Sequence, residues 1–230
     1  MNENRALGVD ACRKGWIGVA VGPDALDAYF GRTIRELVVL AEVDGQIGVV
    51  AIDIPIGLPD RNRRQADVLA RPLVGPRRQS VFMTPVRKAL LASDHAAAVV
   101  VNRKLAGEGI SRQAFGLKTK ILEIEGWVKE SNHTVIEVHP EVSFATMAES
   151  PLLTRKKTLA GAEQRRQLLD LAGIQMTNHL GLAGKVAAVD DILDAAAAAW
   201  TAGRYAHGQA KSMPGTPEVF SDGIECAIWA

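Results

Sequence analysis

Four aspartates stand where the surrounding sequence is otherwise apolar or rich in alanine. They are Asp10, Asp53, Asp191 and Asp194. Carboxylate oxygens are the hard ligands that Mg²⁺ and Mn²⁺ prefer. Two such ions held about 4 Å apart can activate a water and stabilise the leaving oxygen of a phosphodiester. The residue types therefore predict metal-dependent hydrolysis, with these four aspartates as metal ligands and catalytic residues.

Each of these carboxylates needs a charge partner. Asp10 ends an apolar run, and an unpaired carboxylate on a buried strand would be strongly destabilising. Asp191 and Asp194 lie three residues apart on a predicted helix, so they share a face and repel each other unless a cation is present. Helix capping explains an aspartate at 190 or 191 but explains Asp194 poorly. A bound cation accounts for all of them.

A polar strand face adds two candidates. In the segment 134–139, Thr-Val-Ile-Glu-Val-His, alternation puts Glu137 and His139 on one side of a strand. We predict Glu137 as a further metal ligand and catalytic residue. His139 is predicted as a catalytic group for proton transfer, the alternative being a hydrogen-bonded structural histidine.

Basic residues are concentrated in one part of the chain. Residues 58–120 hold thirteen Lys and Arg against four Asp and Glu, whereas the remainder holds fourteen basic and twenty-two acidic residues. Such a segment attracts anionic ligands, and nucleic acid is the predicted partner. The alternative is a solvated basic surface. The candidate substrate-binding residues are Lys14, Arg64, Arg77, Arg78 and Arg87.

The strands that must position these residues begin with a hairpin. Two apolar runs within residues 6–21 flank a polar turn and predict antiparallel strands, and residues 25–30 predict a third strand. The run 47–55 is rich in β-branched residues, as in a strand buried beside a parallel neighbour. Because ligands gather at the carboxyl ends of parallel strands, we expect Asp10 and Asp53 to converge.

Helical patterns account for most of the remaining chain. Thr33 and Glu36 form a capping-box pattern, and the Ala-rich stretch 190–202 predicts a helix that can lie close against a sheet. Residues 58–85 read as a long, partly irregular excursion, and the chain turns helical from Val86. A terminal hairpin is predicted around Asp222-Gly223. The predicted helices outside the irregular parts span 34–42, 111–129, 140–148, 161–172 and 190–202.

The composition fits one globular domain of 230 residues. No apolar run approaches the ~18 residues needed to span a membrane, and the first residues lack a signal-peptide pattern, so we expect a cytoplasmic protein without membrane contact. Cys12 and Cys226 are too few for a disulfide framework or a four-ligand zinc site and are expected to be reduced thiols. The sequence leaves the oligomeric state open, a homodimer included.

Four motifs in this order resemble the family catalogued as domain of unknown function 429. They are Gly8-Val9-Asp10 with the Gly15-Trp16 return, the segment 53–59 (Asp-Ile-Pro-Ile-Gly-Leu-Pro), the segment 137–141 (Glu-Val-His-Pro-Glu), and Asp190-Asp191 with Asp194-Ala195. The family is generally described as predicted nucleases of RNase H-like fold. The resemblance implies an α/β fold, with a mixed sheet flanked by helices, an antiparallel first hairpin and parallel later strands. It implies a single domain, 1–230, with a largely helical basic insertion at about 58–130.

Within the wider RNase H-like group the chain is similar to Holliday-junction resolvases. Those enzymes have an Asp on the first strand and an Asp-x-x-Asp-Ala pattern on a late helix, which implies that Asp10, Asp191 and Asp194 are metal ligands. Asp53 matches the acidic residue at the end of their fourth strand. The basic insertion and the set Glu137-x-His139-x-Glu141 depart from the resolvases, so the substrate does not transfer by analogy.

Three functions remain open on the sequence alone. The first is a nuclease that uses Mg²⁺ or Mn²⁺ and acts on nucleic acid. The second is a non-catalytic binding protein of the same fold for an anionic partner. The third is an ATP-handling enzyme of the actin and sugar-kinase type, which needs a second domain and a second Gly-rich phosphate loop that this length does not offer.

Overall fold

A seven-stranded mixed sheet forms the centre of the protein, with strands in the order β3-β2-β1-β4-β5-β7-β6. A computed structural model describes residues 4–22, 26–176 and 180–230. In chain order the strands are β1 (Arg5–Cys12), β2 (Gly15–Val21), β3 (Leu26–Gly31), β4 (Ile47–Ile52), β5 (Thr134–Val138), β6 (Ser212–Val219) and β7 (Glu225–Trp229).

The strand directions confirm the predicted mixed sheet. β1, β2 and β3 form an antiparallel meander. β4 pairs parallel with β1, β5 with β4, and β7 with β5. β6 pairs antiparallel with β7, as the Asp222-Gly223 pattern predicts. Ala25, which the predicted third strand included, lies outside the described residues.

Helices cover both faces of the sheet. They are α1 (Ile34–Val43), α2 (Gln65–Leu73), α3 (Arg87–Leu90), α4 (His95–Ala106), α5 (Arg112–Gly116), α6 (Lys118–Glu130), α7 (Pro140–Met147), α8 (Leu159–Leu171), α9 (Ala183–Val186) and α10 (Val189–Ala206). Five of them, α2 to α6, lie between β4 and β5. The region of the basic insertion is therefore largely helical, as predicted.

Alternation along β1 sends its side chains to two different layers. Leu7 and Val9 belong to the buried cluster that also contains Leu37 of α1 and Trp127 of α6. Gly8 and Asp10 lie on the opposite face because successive strand residues alternate. That second face is covered by α10.

The contact between α10 and β1 requires small residues on both sides. A Cβ added to Gly8 would lie 2.0 Å from the carbonyl oxygen of Ala195 and 2.0 Å from the amide nitrogen of Ala199. Glycine on the strand and alanine on the helix therefore let the two backbones approach closely, as the Ala-rich pattern predicts. This approach brings Asp194, the residue before Ala195, to the carboxyl end of β1.

Three predicted element bounds need correction. β4 ends at Ile52 rather than at Pro55, because Pro55 cannot continue the ladder. The segment 58–85 is less irregular than predicted, because α2 and a 3₁₀ turn at Gly75–Arg77 lie within it. The helix predicted over 111–129 is broken at Leu117 into α5 and α6. Across the described ranges, no helix is both long and apolar enough to cross a membrane.

Candidate functional site

Three aspartates from distant parts of the chain line one cavity of about 690 Å³: Asp10, Asp53 and Asp194. The first two converge because β1 and β4 are parallel neighbours in register, with Val9 opposite Ile52. The backbone N–H of Asp53 still donates to the carbonyl of Val9 at 2.9 Å, so both aspartates directly follow the last paired residues of the β1–β4 ladder, while Asp10 stays paired with Ile17 of β2. Asp194 reaches the same place from α10.

These carboxylates have little water around them and few hydrogen-bond donors. Asp194 is 1% exposed and Asp10 is 7% exposed, while Asp53 is partly buried. Oδ1 of Asp10 accepts a hydrogen bond from the N–H of Ala11 at 2.7 Å. Oδ1 of Asp194 is buried and has no hydrogen-bond partner among the described residues. An unpartnered buried carboxylate oxygen is costly, so a ligand or a proton is expected there.

The electrostatics of the cluster show that its negative charge is incompletely offset. Burial, followed by the charges of Asp53 and Asp194, raises the pKa of Asp10 well above its ordinary value. Burial raises the pKa of Asp53 to about 6, although Lys156 opposes the effect. Burial also raises the pKa of Asp194 to about 7, again against Lys156. Without further positive charge, part of the cluster is protonated near neutral pH.

Lys156 supplies the positive charge that reaches this cluster, and the sequence analysis missed it. Its ammonium group forms an ion pair with Oδ2 of Asp194. Lys156 lies in the segment that joins α7 to α8, and its neighbours Arg155 and Lys157 line the same cavity. The run Arg155-Lys156-Lys157 just before the N-cap Thr158 was a visible signal, but nothing in the sequence places a loop beside the sheet edge.

The donor set fits Mg²⁺ or Mn²⁺ in chemistry. Asp10, Asp53 and Asp194 offer hard oxygen ligands, and the unpartnered Oδ1 of Asp194 is a free ligand position. Within the described part of the chain, however, no group of three or more His, Cys, Asp or Glu side chains has the spacing of a metal site. The carboxylates would therefore have to move together around the ion, and one oxygen of Asp194 is already bonded to Lys156.

His139 and Glu141 also line the cavity. His139 is the N-cap residue of α7, and its Nδ1 is buried without a hydrogen-bond partner in the described residues. Burial lowers the pKa of His139, so the ring is neutral near pH 7 and can accept a proton. Glu141 accepts two hydrogen bonds from the buried guanidinium of Arg165, at 2.6 and 2.8 Å. Its charge is therefore already offset.

Asp190 and Asp191 lie at the rim of the cavity, in the first turn of α10. Both are partly buried, in contrast to Asp194, which is enclosed. Burial and then the charge of Asp190 raise the pKa of Asp191. The predicted shared face of Asp191 and Asp194 therefore has one member at the mouth of the cavity and one at its base.

Glu137 is not available as the metal ligand that the sequence predicts. Its two carboxylate oxygens accept hydrogen bonds from the guanidinium of Arg64, at 2.7 and 2.8 Å, and one also accepts from the N–H of Ile56. Glu137 is 5% exposed and Arg64 is 1% exposed, and Arg64 also pairs with Asp67. The expectations of a metal ligand at Glu137 and a substrate-binding Arg64 are corrected, since each side chain is buried against the other.

The other predicted substrate-binding residues have different surroundings. Arg77 lines the cavity beside the aspartates. Lys14, in the β1–β2 turn, and Arg78, after the 3₁₀ turn, are exposed outside the cavity lining. Arg87 forms ion pairs with Glu125 and Asp222, at 3.0 and 2.7 Å, which corrects its assignment as a substrate-binding residue. Of these residues, only Arg77 is brought to the aspartates.

Comparison with known proteins gives the family. The family model described as protein of unknown function (DUF429) matches residues 8–219, which is most of the chain. The protein therefore belongs to the DUF429 family. No curated protein and no solved structure gives a significant match.

Proposed function

We propose that this member of the DUF429 family hydrolyses phosphodiester bonds of nucleic acid with the help of Mg²⁺ or Mn²⁺. The observation that carries the proposal is the cavity at the carboxyl edge of the sheet. Asp10, Asp53 and Asp194 meet there with their negative charge incompletely offset. Two further observations support it: ligands gather at this edge in α/β folds, and the mixed sheet is consistent with an RNase H-like arrangement.

The roles follow from the surroundings of each side chain. Asp10, Asp53 and Asp194 would hold the cation, with Asp191 at the mouth of the cavity as a further candidate ligand. A bound divalent cation supplies a Lewis acid and lowers the pKa of its water. Neutral His139, with Nδ1 unpartnered among the described residues, is the candidate to accept a proton.

Basic side chains around the same cavity would bind the phosphate backbone. Arg77 lies on one side, and Arg155 and Lys157 belong to the loop before α8. Guanidinium and ammonium groups bind phosphate oxygens with charge-assisted hydrogen bonds. The candidate phosphate-binding surface is therefore built by Arg77 and this loop. The rest of the basic insertion contributes less, since several of its arginines are ion-paired.

The free state of both cysteines supports a cytoplasmic site of action, which we also propose. Cys12 is partly buried and Cys226 is buried, and they are not joined to each other. Proteins of oxidising compartments more often use their cysteines in disulfides.

Cleavage assays with a matched pair of variants test the hydrolase. Purified protein is incubated with single-stranded, duplex and branched DNA and RNA in Mg²⁺ or Mn²⁺, and in EDTA. Asp10→Asn should lower metal-dependent cleavage by about 100-fold or more, because it removes a ligand charge, while Asp190→Asn at the rim should retain most of it. Circular dichroism checks that both variants fold. Absence of cleavage of every substrate by the folded wild type, with either metal ion, would refute the proposal.

Two adjacent arginines test the phosphate-binding surface. Arg77→Gln should weaken binding of a labelled oligonucleotide by roughly 3- to 10-fold at low salt, and should reduce the salt dependence of binding. Arg78→Gln is the control, because Arg78 is exposed and lies outside the cavity lining. Fluorescence anisotropy in the presence of EDTA measures both. Equal losses in the two variants would contradict a role for the cavity in binding.

A non-catalytic binding protein for an anionic partner is the second candidate. It is favoured by the ion pair between Lys156 and Asp194, and by the absence of a metal-ready group of ligands in the described residues. Under this function the wild-type protein binds oligonucleotides without cleaving them, and Asp10→Asn binds as well as the wild type. The cleavage assay therefore separates the two candidates.

A further inference from the structure

The ammonium group of Lys156 lies within the group of carboxylates that would hold the metal. It donates a hydrogen bond to Oδ2 of Asp194. After Asp194, the charges of Asp10 and Asp53 contribute most to raising the pKa of Lys156. The Lys156 side chain is 36% exposed, so its outer side faces the cavity. Lys156 is therefore already a cation at the place where the proposed function needs positive charge.

The net charge of Asp10, Asp53, Asp194 and Lys156 limits how many divalent cations can bind among them. Three ionised aspartates with one ammonium leave two net negative charges, and one divalent cation offsets them. A second divalent cation would leave the cluster with excess positive charge. Two divalent cations and an ammonium group within one poorly hydrated site would repel one another strongly. Glu141 and Asp191 also act on these aspartates, although Glu141 is paired with the buried Arg165. The whole cavity lining gives the same net charge as the three aspartates with Lys156, because its six acidic side chains stand against four basic ones.

The two oxygens of Asp194 have different surroundings. Oδ2 is bonded to Lys156, whereas Oδ1 is buried with no partner in the described ranges. Oδ1 of Asp194 would therefore be available to hold a cation while Oδ2 keeps its hydrogen bond to Lys156. Asp190 and Asp191 lie at the rim, and the charge of Asp191 contributes less to the raised pKa of Asp10 than the charges of Asp53 and Asp194 do.

We infer that the site takes one divalent cation rather than two, and that the Lys156 ammonium group occupies the place of the second. This inference rests on the proposed function for the identity of the cation. It departs from the two-ion arrangement that the four aspartates predict in the sequence. Lys156 would then be a positive charge that Asp194 holds at the wall of the cavity.

Counting bound Mn²⁺ in the full-length chain, without nucleic acid, tests the inference. Titration followed by the electron paramagnetic resonance signal of free Mn²⁺ gives the number of sites, and calorimetry gives the affinity. The wild type should bind one tight equivalent. Lys156→Gln should bind the first Mn²⁺ about tenfold or more tightly, because it removes a positive charge a few ångströms away.

Two further variants serve as controls. Lys88→Gln removes an exposed charge outside the cavity lining and should change the affinity by less than about threefold. Lys156→Arg keeps the charge and should keep one equivalent, which leaves the inference testable if Lys156→Gln does not fold. Two tight equivalents in the wild type, or an unchanged or weaker affinity in folded Lys156→Gln, would overturn the inference.

The outcome separates the inference from the proposed hydrolase. One Mn²⁺ per chain with the expected response of Lys156→Gln, but no cleavage of any nucleic acid, supports the inference and refutes the hydrolase. Two Mn²⁺ per wild-type chain with metal-dependent cleavage overturns the inference and supports the hydrolase. No binding of Mn²⁺ by the wild type or by Lys156→Gln overturns the inference.

Discussion

Replacing Asp194 with asparagine should stabilise the metal-free protein at neutral and higher pH. Asp194 is buried, and its pKa is about 7 against an ordinary value of 3.8, chiefly because of desolvation. An acid whose pKa is higher in the folded state binds more protons when folded, so the free energy of unfolding falls as pH rises between these two values. At about 1.4 kcal/mol per pH unit the fall is at most ~4 kcal/mol, and coupling to neighbouring carboxylates leaves about 1–4 kcal/mol.

Urea denaturation in EDTA measures this effect. The wild type should be less stable at about pH 8 than at about pH 5, whereas Asp194→Asn should vary less and should be the more stable of the two at about pH 8. Asp190→Asn, in the first turn of α10, is the control and should differ from the wild type by at most about 1 kcal/mol. Because the variant also removes the ion-pair partner of Lys156, the pH dependence decides: if the stability of the wild type does not fall between about pH 5 and pH 8, or if Asp194→Asn leaves that fall unchanged, the aspartates do not form an under-compensated cluster.

Two further predictions test the packing that holds the site. Arg165→Met should lower the free energy of unfolding by about 3–5 kcal/mol because it leaves Glu141 as a buried, unpaired charge, while Arg166→Met on the exposed side of α8 should cost less than about 1 kcal/mol. Equal losses in urea denaturation would argue against the buried pair. Gly8→Ala should lower the free energy of unfolding by about 1–3 kcal/mol, because its methyl group would lie 2.0 Å from the carbonyl oxygen of Ala195. An unchanged melting temperature would contradict the close approach of α10 to β1.

The strand pattern predicted much of the fold because its rules are local. Asp10 and Asp53 each follow an apolar run, and parallel pairing of two such runs is enough to bring their ends together. The alanine content of α10 predicted its close packing in the same way. In these cases the chemistry of each segment fixes its own structure, and one general topological rule places the segments side by side.

The pairing of charges could not be predicted because it depends on contacts between distant segments. Arg64 was assigned to substrate because it stands in a basic segment, yet it is buried against Glu137, 73 residues away. Lys156 lies in a loop whose position depends on how α7 and α8 pack. The hydrophobic pattern of the sequence does not predict that packing. A sequence shows how many charges a segment has, but only the fold shows which of them remain available.

The distribution of buried arginines supports the proposed role of the incompletely offset negative charge in the cavity. Glu137 and Glu141 flank His139 at the end of β5, and each has its own fully buried arginine partner. The chain can therefore deliver a guanidinium group to carboxylates beside this cavity. The three aspartates, in contrast, have the ammonium group of Lys156 in common, and desolvation still raises the pKa of each. Buried charge without full compensation lowers stability, and a cation bound there would offset that cost, so this contrast supports the proposed cation site.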